Sequence, residues 1–298
     1  MYEIKKPSHL GAQFRHIILD QLDDAISELT IVPSSDRKIH EARKRFKETR
    51  AVLRLFQTMA DSHFVATNCA LRDAGRAISA LRDQEARSET LKLLEPSLAS
   101  VLSTHQQNRL QAMLSVPLAC TEEKKAIKHT LALIVPLRDE VHEWKISQGS
   151  WCDVAAGLKK NYRKNRRLLK NLDSDSNDEN WHEWRKTVKN HWYHTKLLIR
   201  LWPGEMKARR DELKTLSNWL GDDHDLAMLT LWCHCNNTAI DEEILSVLLP
   251  TIHTLHQNLR RQSLSLGTRL FAEKTHLYLK RMQSYWEIWE MEQHNAPG

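Results

Sequence analysis

The same basic helical pattern occurs twice in this chain. The first copy reads HEARKRFKETRAVLRLF from His40, and the second reads HEWRKTVKNHWYHTKLL from His182. The offset from 40 to 182 is 142 residues, and the same offset relates Leu71 to Leu213 further along each half. An offset that stays constant through two motifs predicts a duplicated structural unit, far longer than the repeats of solenoid proteins. Because the recurring feature is a row of cations, we expect it to hold an anion.

Apolar residues recur at helical spacing through most of the chain. Only 8 Gly and 8 Pro occur in 298 residues, and no segment shows the alternation expected of a β-strand. We therefore predict an all-α fold divided into residues 1–148 and 149–298. Each half offers four or five helices, enough for a four-helix bundle. A single helix is predicted over 63–86, and a break between two helices is predicted at Gly221.

The chain is basic, with a net charge of +6 and a pI of about 9.0. Its positive charge concentrates in residues 37–54, 159–170 and 182–200. This balance predicts an anionic partner without identifying it.

The cysteines and the apolar runs indicate a compartment. Five cysteines without a CxxC pair argue against a disulfide framework and predict a reducing, cytoplasmic location. The longest apolar run, LALIVPL at 131–137, is too short to cross a bilayer, and the N-terminus lacks an apolar signal core. No membrane association is therefore predicted.

Each motif separates into an apolar and a cationic face on a helical wheel. In the first motif, the cationic face covers about a third of a turn and contains His40, Arg43, Lys44, Lys47, Arg50 and Arg54. In the second motif it contains His182, Arg185, Lys186, Lys189, Lys196 and Arg200. Like charges at these spacings repel one another, and a helix built only for solubility would interleave acids among them. The pattern therefore favours a ligand-binding face over a solvated surface.

Further cations extend the two faces. In the helices that follow the motifs these are Arg72, Arg76 and Lys214. The helix before the second motif adds Lys159, Arg163, Arg166 and Lys170. Asp83 and Asp225 are interpreted as carboxylates that orient a neighbouring Arg or Lys. The alternative interpretation is that they are catalytic carboxylates.

The chemistry of the faces indicates what kind of anion they hold. Neighbouring cations lower the pKa of His40 and His182 unless an anion is bound, and a bound phosphate reverses that sign. Arg supplies forked donors for phosphate oxygens, whereas Lys supplies a mobile point charge. An array that mixes both suits a repetitive polyanion better than one small metabolite.

The motif HxxRKxxK at the start of a helix occurs at His40 and again at His182, and an LRxxxRxxxxLRD-like segment follows in each half. This combination resembles the CHAD family (conserved histidine α-helical domain) over nearly the whole chain. The resemblance implies two four-helix bundles with pseudo-two-fold symmetry and a basic surface and channel between them. It also implies that the protein binds inorganic polyphosphate and associates with polyphosphate granules, and other polyanions remain open as partners. Because the sequence contains no recognisable metal or nucleophile site, we expect a non-catalytic binding module without metal or cofactor. No ExExK pattern occurs, so the triphosphatase domain fused to some members is expected to be absent.

The resemblance and the helical faces together define a set of predicted polyphosphate-binding residues. They are His40, Arg43, Lys44, Lys47, Arg50, Arg54, Arg72, Arg76, Arg163, Arg166, His182, Arg185, Lys186, Lys189, Lys196 and Lys214. The chain departs from the pattern where Trp192 stands opposite Arg50 and Asn218 opposite Arg76. We therefore expect an asymmetric cationic track. The oligomeric state is not predicted.

Two other functions remain open at this point. A metal-dependent phosphohydrolase or phosphoacceptor could use the motif histidines, although they sit among cations and no HExxH or ExxH pair supplies carboxylate ligands. A nucleic-acid-binding protein would also use rows of cations, and Trp181, Trp184 and Trp192 could stack on bases. The position of Trp184 on the apolar side of its helix favours packing instead.

Overall fold

The computed structural model describes residues 2–31, 36–114, 120–173, 176–238 and 240–295. These residues form twelve α-helices, one short 3₁₀ turn and no β-strand, which confirms the predicted all-α fold. The helices up to residue 148 are α1 (Leu10–Thr30), α2 (Asp36–Leu55), α3 (Gln57–Ala60), α4 (His63–Ala77), α5 (Ala80–Leu98), α6 (Thr104–Leu114) and α7 (Cys120–His142). The later helices are α8 (Trp151–Lys170), α9 (Asp178–Leu197), α10 (Pro203–Cys235), α11 (Glu242–Leu270) and α12 (Thr275–Asn295). The internal duplication stays a prediction.

The two motifs form α2 and α9, and their apolar faces are buried. In α2, Phe46 and Leu53 are at most 1 % exposed, and in α9 Trp184 and Val188 are fully buried. Asn177 caps the start of α9, because its side chain accepts a hydrogen bond from a backbone N–H of the first turn. Burial of one stripe leaves the opposite, cationic stripe of each helix free to line a surface.

A buried ion pair joins α2 to α9. The Nζ of Lys196 donates to Oε1 of Glu48 at 2.7 Å, and the Glu48 side chain is fully buried. The Nη1 of Arg45 lies 3.7 Å from the other oxygen of this carboxylate. His194 adds a hydrogen bond from Nε2 to the carbonyl of Ala51 at 2.9 Å. These contacts hold together two helices whose cationic faces repel each other.

A glycine allows α8 to approach α2 closely. A Cβ built on Gly157 would lie 2.0 Å from the carbonyl oxygen of Leu55, a distance that no side chain tolerates. The C-terminal end of α2 therefore packs directly against the backbone of α8, which brings the cations of α8 near those of the motif helices.

The buried apolar residues that the structure describes form two clusters. The larger cluster takes side chains from α1, α2, α4 and α7 and from α8, α9, α12 and the first part of α10. The smaller cluster packs α5 and α6 against α11 and the second part of α10. Each cluster draws on both sides of the boundary proposed at 148/149, which lies in the non-helical connection between α7 and α8. The division into 1–148 and 149–298 stays a prediction.

Two details of the predicted helices are wrong. The helix expected over 63–86 is interrupted between Ala77 and Ala80. There, Nη1 of Arg43 in α2 donates to the backbone carbonyl of Ser79 at 3.0 Å. This carbonyl would otherwise accept a hydrogen bond within a continuous helix. The break expected at Gly221 is absent, because α10 continues through it. One glycine costs a helix interior only about 1 kcal/mol, and buried leucines on both sides offset that cost.

Candidate anion-binding groove

A groove of about 460 Å³ lies between the cationic faces of α2 and α9. We call it the main groove. The helix α4 forms a further part of its wall, and His224 of α10 reaches it from the second half. Among the described residues, nine arginines and lysines line it, namely Arg43, Lys47, Arg50, Arg54, Arg72, Arg76, Arg185, Lys186 and Lys189. Folding thus brings together cations that lie more than a hundred residues apart in the sequence.

Ten of the sixteen predicted binding residues line the main groove, the tenth being His182. The other six do not, and they are His40, Lys44, Arg163, Arg166, Lys196 and Lys214. Polar partners outside the groove hold some of these side chains. Lys44 donates to Glu41 at 2.8 Å, Lys196 to the buried Glu48, and Nε of Arg166 to the carbonyl of Phe271 at 3.1 Å. Arg163 and Lys214 are exposed, and His40 is half-buried on α2. Their binding role stays a prediction.

The first-half wall concentrates positive charge in a partly buried setting. Burial lowers the pKa of Arg54 to about 10, and Arg50 adds to the effect. Burial also lowers the pKa of Arg50, with Arg72 and Arg76 contributing by repulsion. The Oδ1 of Asn68 accepts from Nε of Arg50 and Nη2 of Arg54, both at 3.1 Å. A neutral amide therefore orients both guanidinium groups without cancelling their charge.

Asp73 pairs with two cations of this wall, and the longer contact joins its Oδ1 to Nη1 of Arg76 at 3.9 Å. Arg72 donates from Nε to Oδ1 of Asp73 at 2.9 Å and from Nη2 to Oδ2 at 3.2 Å. The hydrogen bond with Arg72 lowers the pKa of Asp73, and the same bond raises that of Arg72. This exposed pair reduces the local charge on one side of the groove, whereas Arg50 and Arg54 face each other across the neutral Asn68.

The second-half wall places carboxylates behind its central arginine. Burial lowers the pKa of Arg185, and the nearby Asp225 is the largest influence in the opposite direction. Burial raises the pKa of Asp222 to about 6, and repulsion from Asp225 adds to the rise. Asp225 thus lies where the sequence interpretation placed it, beside a basic residue. The side chain of its proposed counterpart, Asp83, lies outside the described residues.

Two histidines meet at this end of the groove. The ring centroids of His182 and His224 are 4.4 Å apart, with their planes inclined by 35°. Burial lowers the pKa of His182, with Lys186 and Arg185 adding to the effect. Burial, Arg185 and His182 lower the pKa of His224 to about 3. Both imidazoles are therefore neutral in the free protein at neutral pH.

Of these two histidines, His182 belongs to the predicted binding set and His224 does not. Its sequence signal was its place beside Asp225 on the face that carries Lys214. The helical pattern did not indicate that this face meets the start of α9, a contact that brings His224 onto His182.

The alternative chemistries find little support in this geometry. No group of three or more His, Cys, Asp or Glu side chains suited to a metal ion occurs among the described residues. Trp181 and Trp184 are buried to at least 99 %, so neither presents a face to a nucleobase. Trp192 is half-buried and packs on Tyr193, with ring centroids 4.8 Å apart. No helix in the described part of the chain combines the length and apolar character that crossing a membrane requires.

Comparison with known proteins assigns the family. The CHAD domain matches residues 16–234, well over half of the 298 residues, and the chain belongs to the CHAD family. Among solved structures, the fold is similar to that of PptA from Streptomyces chartreusis, with a TM-score of 0.56 and 14 % sequence identity. The similarity covers 95 % of this chain and 100 % of that one, and at this identity it concerns the fold alone. No curated protein sequence matches the chain.

Proposed function

We propose that this protein binds long inorganic polyphosphate in the main groove and does not hydrolyse it. The observation that carries the proposal is the convergence of nine arginines and lysines from both motif regions on one open groove in the described structure. Membership of a family linked to polyphosphate binding supports the same choice of ligand. The polyphosphate chain repeats its negative charge at every unit, so it can meet many of these cations at once.

The balance of cost and gain favours a polyanion over a single phosphate. Holding Arg50, Arg54 and Arg185 partly buried costs solvation free energy, which their lowered pKa values reflect. An anion recovers that cost only if it carries charge to each of them. One phosphate group reaches a few neighbouring donors, whereas a linear polyanion lying between α2 and α9 reaches both walls.

The groove is built for binding rather than catalysis. In the free protein its histidines are held neutral by burial and by the cations around them, so they carry no proton to donate before an anion binds. Asp222 and Asp225, which do not line the groove, favour the charged form of Arg185.

One titration separates this proposal from its rivals. The protein is titrated with long polyphosphate, duplex DNA and triphosphate at the same ionic strength, and phosphate release is followed in parallel with and without a chelator. We expect the tightest binding to long polyphosphate and no phosphate release. Tighter binding to DNA would favour a nucleic-acid partner, and phosphate release abolished by the chelator would show a metal-dependent enzyme.

Binding in the main groove also predicts where the protein resides. We propose that it associates with polyphosphate granules through this groove. A fluorescent fusion should collect on granules, and its Lys47→Ala/Lys189→Ala variant should disperse. Granule association that persists in the variant would indicate a different attachment.

A further inference from the structure

A smaller cleft adjoins the main groove. It has a volume of about 160 Å³ and lies among α2, α8 and α9, with one side formed by the start of α4. We call it the side cleft, and its lining residues are Arg54, Gln57, Phe64, Gly157, Lys160, Asn161, Lys164, Thr187 and Asn190. Arg54 and Asn190 line both cavities, so the side cleft adjoins the main groove at these two residues.

The side cleft carries its own positive charge. Lys160 and Lys164 stand one turn apart on α8 and face it together with Arg54. The Nζ of Lys160 donates to Oε1 of Gln57 at 2.7 Å, a neutral partner. The Nζ of Lys164 lies 3.4 Å from Oε2 of Glu183. The cleft thus gathers three cations, and a single carboxylate pairs with one of them.

That carboxylate is shared with the main groove. Glu183 also pairs with Lys186, a cation of the main groove, and these two lysines together lower its pKa. One negative charge therefore serves two lysines, and the region between the cavities keeps a positive excess. A polyanion that leaves the main groove past Arg54 meets this excess next.

Uncharged residues complete the lining of the side cleft. Nδ2 of Asn161 donates to the carbonyl of Thr187 at 3.1 Å, which fixes the amide in place. Gly157 keeps α8 close enough to α2 for Lys160 and Arg54 to line one cavity. Flexible lysine side chains beside neutral residues suit an extended anionic chain, because the lysines can follow its oxygens.

We propose that the side cleft is a second binding segment for the same linear condensed phosphate, reached from the main groove past Arg54 and Asn190. This inference rests on the proposed function of the main groove. A short oligophosphate is held by the main groove alone, whereas a longer chain also engages Lys160 and Lys164. The side cleft therefore makes affinity depend on chain length.

The inference differs from the contribution of α8 that the sequence predicts. The cationic face identified there contains Arg163 and Arg166, yet neither lines the main groove or the side cleft. Arg163 is exposed, and Arg166 is bound to the carbonyl of Phe271. The α8 cations that line the side cleft are Lys160 and Lys164, on another side of the same helix.

The test compares two double variants. Lys160→Ala/Lys164→Ala removes both side-cleft lysines, whereas Lys207→Ala/Lys280→Ala removes two exposed lysines that line neither cavity, with the same change in charge. Affinity is measured for triphosphate and for polyphosphates of increasing length at one ionic strength. We expect the first variant to lose about tenfold in affinity for long chains only, and the second to lose much less at every length. Lys160→Arg/Lys164→Arg should keep the wild-type affinity.

Other outcomes would overturn the inference. Equal losses in both double variants would mean that α8 contributes only general positive charge. If the first variant lost as much affinity for triphosphate as for long chains, the side cleft would not make affinity depend on chain length. If both variants bind long polyphosphate like wild type, the main groove acts alone and the proposed function still stands. If wild type binds no polyphosphate, the proposed function fails, and this inference fails with it.

Discussion

Removing one lysine from each wall of the main groove gives a quantitative test of multivalent binding. Lys47 and Lys189 occupy equivalent positions in the two motifs, and both line the groove. The variant Lys47→Ala/Lys189→Ala therefore removes one charge from α2 and one from α9. Alanine keeps helix propensity high, so the helices themselves should be preserved.

The expected effect follows from counterion release. A flexible single-stranded polyanion releases counterions with a slope of log affinity against log salt of about −0.7 per neutralised charge. If all nine groove arginines and lysines in the described structure engage the ligand, the wild-type slope is about −6. With two of them removed, the slope becomes about −5. The weakening should therefore be largest at low salt and shrink as salt rises.

The assay is a series of titrations with long polyphosphate at increasing salt concentrations. Its control is Lys207→Ala/Lys280→Ala, which removes two exposed lysines that line neither the main groove nor the side cleft. We expect the control to keep the wild-type slope. An unchanged slope in the groove variant, or the same flattening in the control, would refute multivalent binding in the main groove.

Three further predictions concern protons and packing. A bound polyanion should raise the pKa values of His182 and His224, which burial lowers in the free protein. Because of this rise, the affinity gained from the protonated histidines is complete below their free-state pKa and is lost as pH rises through their bound-state pKa. The affinity for polyphosphate should thus increase as pH falls from about pH 8 to about pH 5. The increase should be smaller in H182Q/H224Q, where protonation of Asp222, a half-buried carboxyl of α10, accounts for the remainder. Burial also lowers the pKa of His194 to about 4. In urea unfolding, the contribution of neutral His194 to the free energy of unfolding should be complete above about pH 6.5 and fall by up to about 3 kcal/mol towards pH 4. The loss of stability over this range should be smaller in H194Q. Gly157→Ala should destabilise the fold by about 2 kcal/mol or more, whereas Gly75→Ala, with 3.9 Å to its nearest neighbour, should leave the melting temperature unchanged or higher.

Periodicity was enough to predict the helices that build the groove. The 3.6-residue spacing of Phe46 and Leu53 placed them on the buried side of α2, and Val188 followed the same logic in α9. With these stripes buried, the opposite cationic stripes must point elsewhere. The all-α fold could therefore be predicted from local pattern, and the ten groove residues from local pattern together with the family resemblance.

Tertiary contacts account for what the pattern missed. Lys196 lies on the cationic side of its helix, yet it pairs with a buried Glu48 that is 148 residues away in sequence. A helical wheel gives the direction of a side chain but not the neighbour that covers it. The same limit explains Arg166, which finds the Phe271 carbonyl, and His224, whose role depends on how α10 packs against α9.

Lysine footprinting tests the central claim most directly, because it uses the unaltered protein. Exposed amines are acylated with and without saturating long polyphosphate, and the change at each lysine is quantified by mass spectrometry. If the ligand lies in the main groove, Lys47, Lys186 and Lys189 should be protected, while Lys207 and Lys280 should react as in the free protein. Protection confined to Lys207, Lys280 or other surface lysines, with the three groove lysines unchanged, would contradict the account.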